Sequence, residues 1–391
     1  MESYGLVLAG GGAKGIYQIG AWKALRELDI PLQRVVGTSV GAMNGALVVL
    51  EEFDGAVDLW TNMSIEKGFQ LPEPLRVPDN LFSLRNADIL AKELWRHHGL
   101  DITPLRRALE ALVDERRIRL SPRDYGLVTL ETSGRQGRYL YKDQIPVGQM
   151  MDYIMASAAY PGLKRPEIDG KKFLDGGLVD NVPVRMLLSR QKDNIIVVNI
   201  GDTNLTHDLD PHLNLIDIRP LDPLGRAFEF QPETAQRKID MGWYDTMKAF
   251  GRYSGDWMYF PNVEYQRLQD ELGDHVVAGL EHAARLYGLD KLRECTAEAF
   301  IRELLECERL SAIKFRAFRE NIDFPALLRA VNRGRPEDIR VTSDILLQIT
   351  MALAENKSER PRILAMVRRM APGFLQAAEA LLHLRAYVEG E

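Results

Sequence analysis

Apolar and polar positions at the start of the chain follow two patterns in turn. Residues 4–9 (YGLVLA) form a short apolar run that ends in glycine, which predicts a buried strand. Residues 15–28 carry apolar side chains at helical spacing, and 34–38 and 41–52 then repeat the strand and the helix. Because parallel strands are joined by crossover helices, this β-α-β-α order predicts a parallel sheet with helices on its faces.

The alternation of strands and helices continues well beyond the second helix. Residues 126–131 and 138–141 predict two strands paired across a turn, and the apolar runs at 195–201 and 215–218 predict two more strands. Thr103 followed by proline is typical of a helix start, and the pattern extends that helix to about residue 116. This part of the chain is therefore predicted to form an α/β domain.

The pattern changes near residue 255. From about residue 275 the chain is rich in charged residues at helical spacing, and it shows no strand alternation. We therefore predict a three-layer α/β/α domain with a mainly parallel central sheet over residues 1–255. An α-helical domain is predicted over residues 256–391.

Composition places few limits on this picture, but it excludes some classes of protein. A chain of 391 residues with 46% hydrophobic and 27% charged residues is typical of a globular protein that buries a sizeable core. Its formal net charge of −6 gives no reason to expect nucleic acid as a partner.

Cysteine content and the N-terminal pattern bear on the compartment. Cys295 and Cys307 lie in one charged helical stretch, where a mutual disulfide is not expected, and this fits a reducing cytosol. The N-terminus lacks the pattern of a signal peptide, and no apolar run reaches the roughly 18–20 residues needed to span a bilayer. We expect a cytoplasmic protein that contacts membranes only peripherally.

The segment GGGAKG after the first strand has three interpretations. A P-loop needs lysine and a hydroxyl residue at the end of its motif, but Ile16 follows Gly15. The dinucleotide fingerprint G-x-G-x-x-G matches at Gly10, Gly12 and Gly15. It also needs an acidic residue at the end of the second strand, and the chain has Gly-Thr-Ser there. The third interpretation depends on what that strand end carries instead.

The second strand ends in the pattern G-x-S-x-G, formed by Gly37, Ser39 and Gly41. At a strand-to-helix junction this pattern is typical of a nucleophile elbow, in which a sharp turn projects the serine clear of the sheet. The alternative is a serine that only caps the following helix. A serine that attacks an ester needs backbone N–H groups for the oxyanion, and a run of glycines suits that task because no side chain blocks the approach.

A serine nucleophile also needs a base, and the histidines offer no convincing candidate. His207 and His212 lie in a polar stretch that is typical of a solvated loop. Asp175 is the stronger candidate, since Gly176 and Gly177 after it permit a tight turn and an open approach to its oxygens. The alternative is an ordinary Asp-Gly hairpin turn.

Together these motifs resemble the patatin-like phospholipases. The resemblance rests on GGGAKG, GTSVG and DGG in this order, and it extends to MASAAYPGLKRP at 155–166 and VDNVPV at 179–184. It covers roughly residues 4–250, and the order and spacing of several motifs make it more specific than any one of them. The helical C-terminal region has no counterpart that we can assign.

The resemblance implies a Ser–Asp dyad without histidine. We expect no metal ion or cofactor, since the chain lacks HExxH and Cys/His ligand spacings. Ser39 would be the nucleophile and Asp175 its general base. The oxyanion donors would be the main-chain N–H groups of Gly10, Gly11 and Gly12. The residues implied to support these loops are Lys14, Gly15, Gly37, Gly41, Gly176 and Gly177, with Asn181 and Pro183 beneath the aspartate loop.

The implied reaction is hydrolysis of fatty-acyl esters of phospholipids or lysophospholipids at a membrane surface. Two alternatives are a membrane-damaging effector controlled by a ligand or partner, and a catalytically silent binding module on the same scaffold. The sequence leaves open whether the protein forms a homo-oligomer and whether its C-terminal helices bind a regulatory partner. Residues 71–84 predict either a lid or an ordered loop, and residues 315–324 either a membrane contact or a solvated helix.

Overall fold

The computed structural model describes residues 3–71, 99–190, 194–201, 212–321, 342–355 and 361–390. The chain divides into two compact units, Met1–Ala249 and Phe250–Glu391. The first unit holds a central sheet with flanking helices, and the second unit is predominantly helical. The predicted α/β fold followed by a helical region is confirmed.

The central sheet of the first unit has a parallel core and an antiparallel edge. Its strands are β1 (Tyr4–Leu8), β2 (Leu32–Thr38), β3 (Asp124–Glu131), β4 (Gln136–Tyr141), β5 (Glu167–Ile168), β6 (Lys171–Asp175), β7 (Ile195–Val198) and β8 (Leu215–Ile218). Strands β8, β7, β1, β2 and β3 are neighbours in that order and run parallel. Strands β4, β5 and β6 form the antiparallel edge.

Strand β3 has different neighbours along its two edges. Along one edge it pairs with β4 in a hairpin over residues 126–131. Along the other edge it pairs first with β2, whose last residue Thr38 lies opposite Val128. It then pairs with β6, whose last residue Asp175 lies opposite Thr129. Because β2 runs parallel to β3 and β6 runs antiparallel, the carboxyl ends of β2 and β6 meet head-on.

Helices cover both faces of this sheet. They are α1 (Ile16–Glu27), α2 (Val40–Leu50), α3 (Phe53–Thr61), α4 (Ile65–Gly68), α5 (Thr103–Glu110), α6 (Glu115–Leu120), α7 (Met150–Ser157), α8 (Val184–Leu188) and α9 (Pro232–Ala249). Successive residues of a strand point to opposite faces. The Tyr125 hydroxyl donates to the Ala42 carbonyl in α2, whereas the adjacent Gly126 faces Met186 in α8. The sheet is therefore the middle of three layers.

Helices α1 and α9 pack closely through two glycines. A Cβ at Gly20 would overlap the carbonyl oxygen of Ile239, and one at Gly242 would overlap that of Tyr17. The hydroxyl of Tyr17 also donates to buried Asp245 at 2.8 Å. These contacts fix α9, and the turn that precedes α9 reaches the candidate site.

The second unit contains a two-stranded ribbon and a set of helices. Its elements are β9 (Tyr253–Ser254), β10 (Phe260–Pro261), α10 (Asn262–Leu272), α11 (Asp274–Tyr287), α12 (Ala297–Asn321), α13 (Ser343–Glu355), α14 (Pro361–Met370) and α15 (Pro372–Glu389). Apolar residues of α10, α11, α12, α13 and α15 form its core. The helical pattern in the sequence reflects this shared core.

A buried carboxylate orders the start of the second unit. Glu281 lies in α11 and is 1% exposed. Its Oε1 accepts the N–H groups of Trp257 at 3.1 Å and Met258 at 2.8 Å, and its Oε2 accepts the N–H of Asp256 at 2.6 Å. The chain before β10 is therefore held by one side chain.

One predicted helix is two helices in the structure. The helix that begins at Thr103 ends at Glu110, before the predicted end at about residue 116. A second helix begins at Glu115, because the Asp114 side chain accepts the N–H of Arg117 at 3.1 Å and caps it. The predicted helix is divided because of this cap. In the sequence, the charged residues around Asp114 continue the helical pattern, so they gave no sign of a new helix start.

Two segments with open predictions lie wholly or partly among residues that the structure does not describe, the first almost entirely and the second at its end. Residues 72–84 of the predicted lid or loop are outside them, as are residues 322–324 of the arginine- and phenylalanine-rich segment. Residues 315–321 form the end of α12.

Candidate active site

Ser39 occupies the turn between β2 and α2. Its backbone has φ 56° and ψ −123°, a conformation that residues with a Cβ rarely adopt and that costs about 1–3 kcal/mol. The turn is tight because two glycines flank it. A Cβ at Gly37 would overlap the backbone of Gly41, and one at Gly41 would overlap the carbonyl oxygen of Leu8. Strand and helix therefore pack closely, with Ser39 at the tip.

A buried serine from α7 holds the strained turn. The N–H of Ser39 donates to Oγ of Ser157 at 2.9 Å, and Ser157 Oγ donates in turn to the Val128 carbonyl at 2.6 Å. Ser157 is fully buried, so these bonds form away from water. On the opposite side, the Ser39 carbonyl accepts the N–H groups of Ala42 and Met43 at the start of α2. The turn is thus fixed from both sides.

Asp175 ends β6 and reaches Ser39 across the gap between the two strand ends. Ser39 Oγ donates to Asp175 Oδ2 at 2.7 Å, and the N–H of Gly177 donates to Asp175 Oδ1 at 2.7 Å. Gly176 makes the turn after Asp175 feasible, since a Cβ there would overlap the carbonyl oxygen of Val128. The structure therefore brings together the predicted nucleophile and base in direct contact.

The end of α7 contacts both members of this pair. Ser157 accepts the backbone N–H of Ser39, and two residues later the Ala159 carbonyl accepts the backbone N–H of Asp175 at 2.9 Å. Residues 157–159 thus fix the main chain that carries Ser39 and Asp175.

Burial changes the acidity of Asp175, which is 4% exposed. Removal from water disfavours the charged carboxylate and raises the pKa of Asp175 to about 6, although hydrogen bonds from Ser39 and Gly177 act in the opposite direction. A carboxylate with this pKa is a stronger base than an exposed aspartate, and it is still ionised at neutral pH. It is therefore suited to accept the proton of the Ser39 hydroxyl.

The glycine loop is fixed by partners on two sides. The N–H of Gly10 donates to the Asn181 carbonyl at 3.1 Å, and the Asn181 side-chain amide donates back to the Gly10 carbonyl at 3.2 Å. On the other side, the N–H of Ala13 donates to the Ala227 carbonyl at 2.7 Å. Gly12 has a φ of +59°, and a Cβ there would overlap the Ala227 carbonyl oxygen. Only glycine fits this position.

A cavity of about 300 Å³ adjoins Ser39 and Asp175. The glycine loop, including Gly10, Gly11 and Gly12, forms part of its wall. Large apolar side chains form most of the remainder, among them Met43, Trp60, Phe69, Leu105, Phe228 and Phe230. The arrangement can hold an apolar group beside the Ser39 hydroxyl.

Most of the first unit matches a known protein family. Residues 6–188 match the family described as patatin-like phospholipase. These residues form a patatin-like phospholipase domain. The match confirms the resemblance inferred from the sequence motifs, and it includes both Ser39 and Asp175.

Curated relatives match about half of the chain. The chain is 28% identical over 222 residues to the neuropathy target esterase sws of Drosophila melanogaster, which is 53% of this chain and 14% of that protein. It is 31% identical over 211 residues to the lysophospholipase NTE1 of Chaetomium globosum, which is 51% of this chain and 12% of that protein. The chain therefore spans only a small part of these relatives.

Among solved structures, the chain is similar to VipD from Legionella pneumophila. The sequence identity is 15% and the TM-score 0.40, over 100% of this chain and 88% of that chain.

The remaining predicted residues of the patatin-like domain surround the site. Lys14 lines the cavity, and Gly15 packs against Val40, whose side chain a Cβ would overlap. Asn181 lies between the glycine loop and the aspartate loop: its Nδ2 binds Gly10, and its Oδ1 lies beside Gly177. Asn181 therefore supports both loops, where the resemblance implied only the second.

Histidine does not line the cavity in the described part of the patatin-like domain. His212 lies in the turn before β8, and His97, His98 and His207 lie outside the described residues. Within the described ranges, no group of three or more His, Cys, Asp and Glu side chains could hold a metal ion. Nor does any described helix combine the length and apolar character needed to cross a membrane.

Sequence reasoning gave no individual role to Ser157, Ala159 or Ala227. Ser157 and Ala159 lie in the MASAAYP segment that carried part of the resemblance, so their signal was the motif itself. Ala227 has no such signal, because its contact with the glycine loop uses a main-chain carbonyl that any residue could supply.

Proposed function

We propose that this chain is a serine acyl hydrolase that cleaves fatty-acyl esters of phospholipids or lysophospholipids. The proposal rests on the 2.7 Å hydrogen bond from Ser39 Oγ to Asp175 Oδ2 at the edge of an apolar cavity. Membership of residues 6–188 in the patatin-like phospholipase family supports this reaction class, as does the lysophospholipase among the relatives.

Acylation transfers one proton and forms one bond. Ser39 Oγ attacks the ester carbonyl carbon while its proton passes to Asp175 Oδ2. We assign the oxyanion to the N–H groups of Gly11 and Gly12, since the Gly10 N–H already has a backbone partner. A well-placed donor of this kind contributes about 3–4 kcal/mol. Collapse of the intermediate returns the proton from Asp175 to the leaving alcohol and leaves the acyl group on Ser39.

Deacylation repeats the same steps with water. Asp175 accepts a proton from a water molecule that attacks the acyl carbon, and then returns a proton to Ser39 Oγ as the fatty acid leaves. The pKa of about 6 allows Asp175 to be ionised before each attack at neutral pH. No group besides these residues and the backbone donors is needed for the proton transfers.

The cavity favours a fatty-acyl group over a small polar one. Large apolar side chains surround the space beside Ser39, and each methylene that enters such a space is stabilised by about 0.8 kcal/mol. A phospholipid or lysophospholipid carries a hydrocarbon chain attached to an ester bond. A cavity that binds the hydrocarbon chain therefore also orients the ester carbonyl toward Ser39.

The proposal extends to the organisation of the chain and its compartment. We propose residues 1–255 as the hydrolase domain and residues 256–391 as a separate helical domain. The protein would act in the cytoplasm on lipid at a membrane surface. Both cysteines of the chain are free thiols, which is compatible with a reducing compartment.

Ser39→Ala in the 391-residue chain tests the reaction. On vesicles of phosphatidylcholine with lysophosphatidylcholine, we expect release of fatty acid to fall by at least about a thousandfold, because the nucleophile is lost. Ser133→Ala, which alters an exposed serine in the turn between β3 and β4, should retain the full rate. Retention of activity by Ser39→Ala would contradict the assignment of the nucleophile.

A fluorophosphonate probe tests the proposed nucleophile independently of the lipid substrate. We expect the probe to label wild-type protein at Ser39. Labelling of Ser39 without hydrolysis of either lipid would support Ser39 as the nucleophile but contradict the proposed substrate class. Absence of both labelling and hydrolysis would instead favour the catalytically silent binding module.

A further inference from the structure

The turn at residues 225–231, between β8 and α9, is a compact element in the cavity wall. The side chain of Glu229 closes it: Oε2 accepts the N–H of Arg226 at 2.9 Å, and Oε1 accepts the side-chain amide of Gln231 at 3.1 Å. Gly225 begins the turn with a φ of +83°, which favours glycine. The shape of the 225–231 turn is therefore specified by its own residues.

The 225–231 turn is bound to the glycine loop. The Ala227 carbonyl accepts the N–H of Ala13 at 2.7 Å. The same oxygen occupies the space that a Cβ of Gly12 would fill. The turn and the loop fit together only with glycine at position 12, so the turn is held against the candidate oxyanion site.

Two phenylalanines of the turn join an aromatic wall. The ring of Phe228 packs edge-on against Tyr160 at 5.2 Å and Phe69 at 6.2 Å. The ring of Phe230 lies 5.9 Å from Phe69 and stacks on Trp60 at 6.5 Å. All five side chains line the cavity beside Ser39. Because the rings support one another, none can move without disturbing its neighbours.

We propose that the 225–231 turn sets the length of the acyl chain that the cavity accepts, and that the cavity takes one chain at a time. This inference rests on the proposed function for the position of the ester at Ser39. The cavity volume of about 300 Å³ lies at the small end of ligand sites, which suits a single hydrocarbon chain. The acyl chain that is cleaved would therefore lie alone in the cavity and end against Phe228 and Phe230.

Binding to Ser39→Ala tests this inference without any turnover. We would titrate the 391-residue variant calorimetrically with lysophosphatidylcholines from hexanoyl to stearoyl, each below its micelle concentration. Affinity should rise by up to about fourfold per methylene while the chain still enters the cavity, and level off where it meets the aromatic wall. Because the variant has no nucleophile, failure of wild-type protein to hydrolyse these lipids would leave the binding result intact.

Substitutions at Phe228 provide the decisive comparison. In the Ser39→Ala background, Phe228→Ala should move the plateau to longer chains, and Phe228→Trp should move it to shorter ones. Phe53→Ala is the matched control, because the half-buried Phe53 ring packs on Trp22 at 5.2 Å and does not line the cavity. It should leave the plateau in place.

Three results would overturn the inference. Affinity that does not depend on chain length would exclude an acyl cavity at this place. An equal loss of affinity for every chain length in Phe228→Ala would reduce the ring to a structural role. A plateau that stays unchanged in both the alanine and tryptophan variants would show that another part of the wall sets the length.

Discussion

Asp175 in the first unit and Glu281 in the second are both buried carboxylates that accept backbone N–H groups. Glu281 directs both oxygens at the main chain, where they accept the N–H groups of Asp256, Trp257 and Met258. Asp175 uses one oxygen in this way, for Gly177, and presents the other to a hydroxyl at the edge of a cavity.

The two buried carboxylates differ in what their hydrogen bonds do. Burial of a carboxylate disfavours folding unless hydrogen bonds compensate it. In Glu281 the bonds go to the backbone and order a loop. In Asp175 one bond comes from the hydroxyl of Ser39, so the same burial leaves one oxygen placed to accept a proton. The two buried carboxylates differ in the partner of the second oxygen, and this difference underlies the proposal that Asp175 is the base.

The largest effect is expected from Asp175→Asn. This change keeps the shape of the side chain but removes the proton acceptor, so hydrolysis should fall by at least about a thousandfold. The initial rate on lysophosphatidylcholine is the measurement. A rate within about tenfold of wild type would contradict the assignment of Asp175 as the base.

The same variant should be more stable than wild type at alkaline pH. Burial raises the pKa of Asp175 from 3.8 to about 6. Above that pH the ionised carboxylate therefore lowers the free energy of unfolding. At about 1.4 kcal/mol per pKa unit, the gain for Asp175→Asn approaches 3 kcal/mol near pH 8. It should shrink as the pH falls through 6 and vanish below 4, where the carboxyl is neutral in both states. Urea unfolding at several pH values measures it.

A smaller effect on rate is expected from Ser157→Ala. Loss of the acceptor for the Ser39 N–H should let the strained turn relax, which lowers kcat by about 10- to 100-fold with little change in KM. The rate of fluorophosphonate labelling should fall in parallel.

Ser311→Ala is a matched control for this variant. Ser311 is also buried, and its hydroxyl donates to the Asp344 carbonyl at 2.9 Å in the second unit. Both substitutions should lower the melting temperature, but only Ser157→Ala should lower kcat. Equal kcat values in the two variants would reduce Ser157 to a structural residue.

The smallest effect on activity is expected from Glu281→Gln, the counterpart of Asp175→Asn. The amide group cannot accept the N–H that one carboxylate oxygen binds, so the free energy of unfolding should fall by about 1–3 kcal/mol. Hydrolysis per folded molecule should stay at the wild-type rate. A loss of rate comparable to that of Asp175→Asn would erase the distinction between the two carboxylates.

The hydrogen-bonded pair of Ser39 and Asp175 could be singled out from the sequence because each member has a local signal. Ser39 lies between glycines that a tight strand-to-helix turn requires, and Asp175 precedes two more. The fold was also predictable, since strand and helix periodicities alternate; the predicted strand at 215–218 coincides with β8. The local pattern made Asp175 the stronger candidate for the base, and the family resemblance implied the dyad with Ser39. Both roles stay predictions that the variants above test.

The supporting residues could not be predicted from local patterns. Ser157 lies 118 positions from Ser39, and only the fold brings its hydroxyl to the strained turn. Phe69 and Phe228 belong to distant segments whose rings meet in one wall. Such contacts depend on the three-dimensional path of the chain, and a pattern of neighbouring residues does not encode them.

The backbone angles of Ser39 have a consequence for substitution at this position. A glycine at this position would adopt φ 56° and ψ −123° without the strain of about 1–3 kcal/mol that serine carries. The same change would leave buried Asp175 without the hydrogen bond that Ser39 Oγ donates at 2.7 Å. Because these two effects oppose each other, Ser39→Gly should shift the melting temperature by less than the relief of backbone strain alone would.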